Sequence, residues 1–275
     1  GRKGIFWRIR EAVSSSDRIV WVHCASLGEF EQGRPVIEEI RKQQPGYKIL
    51  LTFFSPSGYE VRKNYEGADY IFYLPYDTPQ GARRFVETVR PEIAVFIKYE
   101  YWLNYLKQLH KSGTRTFIVS AIFRRDSVFF KWYGGMFRRV LGVFERLFVQ
   151  NEESAMLLSS IGVDNVTVAG DTRFDRVAAI AGAARQIEVV ERFASGPKVF
   201  VAGSTWPPDE ELIARLIDKY GDVKFIIAPH EMDRERIARF VENSPRPAVL
   251  YTSFAGNASA HELVDAQVLV IDTIG

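Results

Sequence analysis

A series of short stretches in this 275-residue chain puts chemically able side chains directly after apolar runs. Glu29 follows Ile19–Val22 and the small-residue turn Ala25-Ser26-Leu27-Gly28. Ser55-Pro56-Ser57-Gly58 follows the second run, Asp77 the third, Glu100 the fourth and Ser120 the fifth. In the second half, Gly203-Ser204-Thr205 and Pro229-His230 stand in the same position after their own runs. Glu29 and Glu100 are two carboxylates suited to taking a proton from a hydroxyl. Backbone N–H groups where such turns open helices favour a phosphate. Simpler readings stand beside these. A Glu in a first helical turn gains up to about 1 kcal/mol from the helix dipole alone. Glu100 can pair with an Arg, and His230 can be an ordinary turn residue.

Other chemistries find little footing. The chain has no G-x-G-x-x-G, no G-x-x-x-x-G-K-[ST], no G-x-S-x-G and no H-E-x-x-H. Its four histidines, at 23, 110, 230 and 261, are scattered, so no metal site is expected. The single cysteine, Cys24, excludes a disulfide framework and fits a reducing compartment. No apolar run reaches the length of about 18 residues that spans a bilayer.

The turns need elements that carry them to one place. Strand-like runs at 18–23, 48–54, 69–74, 93–97, 115–120, 147–150 and 166–169 alternate with helical stretches, the pattern of a doubly wound parallel sheet. In such a sheet the turns after the strands share one edge, where ligands bind. A helix from Phe174 to Ile187 leads towards a second α/β domain with runs at 198–202, 224–228, 248–252 and 268–272. We therefore expect domains at 1–174 and 175–275, the second holding only about three βα units and so cut short. Residues 1–150 carry 24 Lys and Arg against 15 Asp and Glu, whereas residues 151–275 carry 12 against 19. A basic first half suits an anionic partner (nucleic acid, phosphorylated lipid or an anionic membrane surface), and an unevenly charged solvated surface is the alternative. Two segments mix basic and aromatic residues as interfacial segments do: Gly1–Asp17 and Phe123–Arg139. A plain surface helix suits the first equally well, and ordinary packing with solvated arginines the second.

Taken in order, the turns resemble one family, the 3-deoxy-D-manno-oct-2-ulosonic acid (Kdo) transferases, inverting GT-B glycosyltransferases of lipid A–core assembly. The family's H-S-V-S-x-G-E is similar to His23-Cys24-Ala25-Ser26-Leu27-Gly28-Glu29, and its T-x-T-x-T-G to Thr52–Gly58. L-P-Y-D is intact at Leu74–Asp77, and Q-N-E-E at Gln150–Glu153. E-T-E-x-W-P-N resembles Lys98–Asn104, with Lys98 in place of the first Glu, and G-x-x-K-F-D resembles Gly170–Asp175, with Arg173 in place of Lys. A-x-S-T-x-x-x-E-E aligns with Ala202–Glu211 and A-P-R-H-P-E-R with Ala228–Arg234, where His230 replaces an Arg. The resemblance implies that the family's G-G-H-N-x-x-E motif lies beyond Gly275, and that the N-terminal membrane anchor the family commonly carries lies outside the given residues as well.

The resemblance implies an α/β fold of GT-B type, with two Rossmann-like doubly wound domains. It implies CMP-Kdo as co-substrate with no cofactor or metal, and a phosphorylated lipid A precursor as acceptor. Glu29 becomes the general base, with Glu100 and Arg173 steadying the transition state. Donor contacts fall to Ser204, Thr205, Pro229, His230, Ile274 and Gly275. Acceptor contacts fall to Ser55, Ser57, Gly58, Arg124 and Arg125. The implied location is the cytoplasmic face of a bacterial inner membrane, with no nucleic-acid partner. Two other readings remain: a GT-B enzyme using another nucleotide sugar, such as an epimerase, and a non-catalytic basic lipid-binding module.

Overall fold

The computed structural model describes residues 2–182, 186–196, 198–254 and 261–273. It divides into two compact units, Gly1–Ala183 and Ala184–Gly275. In the first unit the elements run α1 (Ile5–Ala12), β1 (Ile19–Cys24), α2 (Leu27–Gln43), β2 (Lys48–Phe53), α3 (Pro56–Arg62), β3 (Tyr70–Tyr73), α4 (Pro79–Val89) and β4 (Ile93–Ile97). There follow α5 (Leu103–Ser112), β5 (Arg115–Ala121), α6 (Gly135–Leu141), β6 (Arg146–Val149), α7 (Glu152–Ser159), β7 (Val166–Val168) and α8 (Thr172–Gly182). The sheet order is β3-β2-β1-β4-β5-β6-β7, and every pair is parallel.

The central strand shows why the sequence folds this way. All six residues of β1 are buried. Alternation sends Ile19 and Trp21 into one core and Val20, Val22 and Cys24 into the other. Helix α2 lies close over this strand because Gly33 has no side chain. A Cβ there would come within 3.0 Å of both Cys24 Sγ and Ile97 Cγ1.

The second unit holds α9 (Glu188–Phe193), β8 (Lys198–Thr205), α10 (Pro207–Lys219), β9 (Val223–Pro229), α11 (Arg234–Glu242), β10 (Ala248–Leu250), α12 (His261–Asp265) and β11 (Val268–Val270). Its four-stranded parallel sheet has the order β10-β11-β9-β8, with apolar clusters on both faces.

Three expectations need correction. The first unit extends to Ala183 rather than residue 174, because α8 packs along α2 and belongs with it. The helix expected from Phe174 to Ile187 is α8, Thr172–Gly182, and Ile187 is extended as the cap of α9. Residues 123–139 are not one amphipathic segment. Phe123 and Phe129 are buried against Tyr101, while Trp132, Tyr133, Met136 and Phe137 lie exposed. At the other basic segment, α1 buries Ile5 and Ile9 and exposes Trp7.

Candidate active site

In the first sheet the strand order reverses between β1 and β4, and ligands bind in the crevice that opens at the carboxyl ends of such a pair. Glu29 follows β1 and Glu100 follows β4, so the two carboxylates flank that switch point.

Glu29 is placed by a capping box. Ser26 is the N-cap of α2, its amide donates to Glu29 Oε2 at 3.1 Å, and its hydroxyl accepts the Glu29 amide at 3.5 Å. The helix therefore begins at Leu27. The carboxyl of Glu29 is half-buried and titrates above its ordinary value. Burial is the main cause and the charge of Glu100 the second, and together they outweigh the amides of Ala25 and Ser26 and the influence of His23. The dipole argument alone gives the opposite direction, a lowered value. The structure corrects it, and a carboxylate held this way is a stronger base.

Glu100 is buried and accepts a hydrogen bond from the Trp102 indole N–H. Its Oε2 also lies 3.3 Å from Nε2 of His23, a fully buried residue of β1. On the other side of the imidazole, Nδ1 is 2.9 Å from Thr52 Oγ1 and 3.1 Å from Thr52 O. Trp21 Nε1–H donates to the same hydroxyl at 2.8 Å. His23 and Thr52 face each other because β1 and β2 pair in that register. Spacing along the chain gave no hint of this cluster.

Arg173 lies at the start of α8. Its Nε donates to Asp171 Oδ2 at 2.8 Å, and Gln32 Nε2 donates to Asp171 Oδ1 at 3.1 Å. Gln32 is one turn after Glu29 on α2, so one helix connects the base candidate to the arginine's seat. Burial by itself would raise the Asp171 carboxyl, but the bonds from Arg173 and Gln32 prevail and bring it down to about 2. Nearby, Glu31 pairs with Arg62 at 2.7 Å and Arg176 at 3.3 Å, fastening α3 and α8 to α2.

The remaining expected residues divide between open and closed positions. Ser57 is exposed and Ser55 half-buried, with their hydroxyls 3.0 Å apart at the cap of α3. Gly58 is buried, and a Cβ there would come within 2.2 Å of the Phe53 ring, so its part is close packing. Arg124 and Arg125 are exposed on the loop after β5. In the second unit, Ser204 Oγ and His230 Nδ1 are 2.7 Å apart and both residues are exposed. Thr205 and Pro229 are buried partners in the β8–β9 register. The Thr205 hydroxyl donates to Glu210, which pairs with Arg236 at 2.8 Å. Trp206, not foreseen, lies against His230 with ring centroids 4.4 Å apart. Ile274 and Gly275 lie outside the described residues.

Other motif residues hold the frame. Asp77 caps α5 by accepting the amides of Asn104 and Tyr105, and Asn151 caps α7 by accepting that of Ser154. Three strand ends carry left-handed backbone at non-glycine residues: Lys98 (φ 71°), Ser120 (φ 57°) and Ser204 (φ 61°). Among the described residues, no three His, Cys, Asp or Glu side chains gather as a metal site would need, and no helix is long and apolar enough to cross a membrane.

A 3-deoxy-D-manno-octulosonic acid transferase of Aquifex aeolicus is 24% identical over 272 residues, covering 97% of this chain and 67% of that protein. One from Bordetella pertussis is 29% identical over 239 residues, covering 84% of this chain and 51% of the relative. The chain thus spans between about half and two thirds of the length of these relatives. Among solved structures, a UDP-GlcNAc 2-epimerase from Neisseria meningitidis bound to UDP-GlcNAc aligns with TM-score 0.61 at 17% identity, over 94% of this chain and 72% of the other. That likeness carries the fold, of GT-B type, and no chemistry. The profile of the family described as 3-deoxy-D-manno-octulosonic-acid transferase (kdotransferase) matches residues 3–176, more than half of the chain and the whole Glu29–Glu100–Arg173 region, and the chain belongs to that family.

Proposed function

We propose that the protein moves Kdo from CMP-Kdo to a hydroxyl of a phosphorylated, tetraacylated lipid A precursor (lipid IVA), with inversion at the anomeric carbon. The observation that carries this reading is the pair of carboxylates flanking the switch point, with Glu29 the stronger base of the kind the step requires. Glu29 takes the proton of the acceptor hydroxyl. The oxygen then forms its bond to the anomeric carbon as the bond to the CMP phosphate breaks and CMP leaves. Glu100 favours the positive charge that develops on the sugar. Arg173, its guanidinium 62% exposed beside Asp171, offsets the charge on the departing phosphate.

Donor binding falls in this reading to Ser204 and His230, with Thr205 and Pro229 shaping their seat, and to Ile274 and Gly275 by the resemblance alone. Acceptor phosphates meet Ser55, Ser57, Arg124 and Arg125. The exposed Trp132, Tyr133, Met136 and Phe137, interleaved with Lys131, Arg138 and Arg139, support work at the anionic cytoplasmic face of the inner membrane. The step is written without cofactor or metal.

Incubating the protein with lipid IVA and either CMP-Kdo or UDP-sugars tests the reading. Kdo transfer that persists in excess EDTA and is lost in Glu29→Gln is expected. Turnover with a UDP-sugar alone would transfer the assignment to another donor. Lipid binding that is intact while no sugar moves from any donor would favour a non-catalytic lipid-binding module.

A further inference from the structure

Glu100 is held by more than its own loop. A continuous line of polar atoms runs through the buried interior behind it: Trp21 Nε1, Thr52 Oγ1, His23 Nδ1, His23 Nε2, Glu100 Oε2 and Trp102 Nε1. Each end of the line is an indole N–H, which can only donate. The bonds at the two ends are therefore fixed in direction, and the tautomer of His23 decides those between them.

Trp21 donates to the Thr52 oxygen, which leaves the Thr52 hydroxyl proton free to point elsewhere. His23 Nδ1, 2.9 Å away, is placed to receive it. With Nδ1 accepting, the ring proton is on Nε2. That atom is buried with no in-line hydrogen-bond partner, and it stands 3.3 Å from Glu100 Oε2. The opposite tautomer would donate from Nδ1 to the Thr52 carbonyl at 3.1 Å. It would then set a bare nitrogen lone pair against a carboxylate oxygen away from water, an expensive arrangement.

We propose that Thr52 and His23 are positioning residues for Glu100: the Thr52 hydroxyl fixes His23 as its Nε2–H tautomer, and that N–H holds the Glu100 carboxylate in place behind Glu29. The proposal rests on the reading of Glu29 and Glu100 as the working carboxylates. The titratable groups around His23 are Glu100 from the loop after β4, Glu29 from α2 and the neighbouring Cys24. The Cys24 side chain belongs to the opposite core, and burial followed by the charges of Glu29 and Glu100 keeps its thiol protonated. Glu29 feels the Glu100 carboxylate, whose charge pushes its titration up, so what holds Glu100 in place also bears on the base candidate.

Nitrogen-15 NMR of the imidazole rings tests this, because the two neutral tautomers have distinct signatures. The chain has only four histidines, and His23→Gln identifies the signals of position 23. The wild-type protein should show the Nε2–H form at neutral pH, and Thr52→Ser should keep it. Thr52→Val should flip the ring to the Nδ1–H form, since only the position 52 carbonyl remains as a partner. In the transfer assay, Thr52→Val should lower kcat about 10- to 100-fold with KM for both substrates within about twofold, while Thr52→Ser stays near wild type. A wild-type Nδ1–H ring, or a Thr52→Val ring that keeps the wild-type tautomer, overturns the proposal. If Thr52→Val does not fold, the wild-type and Thr52→Ser spectra still decide. A failure of the transferase reading shows itself separately, as wild-type protein with no Kdo turnover and the expected Nε2–H spectrum.

Discussion

Replacing Glu29 by Gln separates the cap that the carboxylate forms from the base role proposed for it. As a cap, Glu29 accepts the Ser26 amide at 3.1 Å, and the amide oxygen of a Gln can accept the same bond. As a base it is irreplaceable, because an amide takes up no proton. Burial and Glu100 raise the titration of Glu29, so the fold prefers its neutral form. The sign follows directly. A carboxyl raised in the folded state adds stability at acid pH and loses it as pH rises through the raised value. Above the raised value the ionised Glu29 bears that penalty and a Gln bears none. We expect Glu29→Gln to leave the melting temperature unchanged or higher while kcat falls by about 10²–10⁴. Glu29→Ala loses the cap as well, about 0.5–1 kcal/mol, or roughly 1–4 °C in a unit of this size. Thermal melts of the three proteins beside initial rates of Kdo transfer measure both effects. A Gln variant within about tenfold of wild-type rate removes Glu29 from the chemistry. A Gln variant that melts as low as the Ala variant shows that the fold needs the charge.

Other consequences can be measured in the same protein. The rate should fall with acid as pH drops through a value above the ordinary 4.5 of a Glu, and Glu100→Gln should move that limb to lower pH; a limb that does not move would uncouple the two carboxylates. Asp171, held at about 2, contributes stability that is present above its unfolded value of 3.8 and lost as pH falls towards 2. Asp171→Asn should cost about 1–2 kcal/mol at pH 7 and flatten stability across that acid window, read by denaturant titration at each pH. Gly58→Ala must displace the buried Phe53 ring and should cost about 1–3 kcal/mol; an unchanged melting temperature would refute the packing account.

Local patterns in the sequence carried much of this architecture. The run IVWVHC could only be a strand buried on both faces, and Asn151 before Glu152-Glu153 marks a helix start. Ser26 and Glu29 have the spacing of a capping box, which puts the helix start earlier than the glycine suggests. What depends on partners was not legible. The residues of α8 form a helix wherever they lie, and only packing on α2 assigns them to the first unit. The His23–Thr52 contact is a matter of register between strands, which no spacing along the chain records. The direction of the Glu29 shift required its depth and its distance from Glu100, neither of which the helix dipole foretells.

Lys98, Ser120 and Ser204 hold a backbone conformation that glycine adopts freely and other residues adopt at about 1–2 kcal/mol each. A directed-evolution screen that rewards survival at higher temperature would be drawn to glycine at all three. Each such winner would strip an ammonium or a hydroxyl from a strand end, at position 120 the hydroxyl that Gln150 Nε2 meets at 3.3 Å. Under the proposed function, heat resistance and activity are thus set against each other at these strand ends. Libraries built for hardier variants should hold positions 98, 120 and 204 fixed and sample elsewhere.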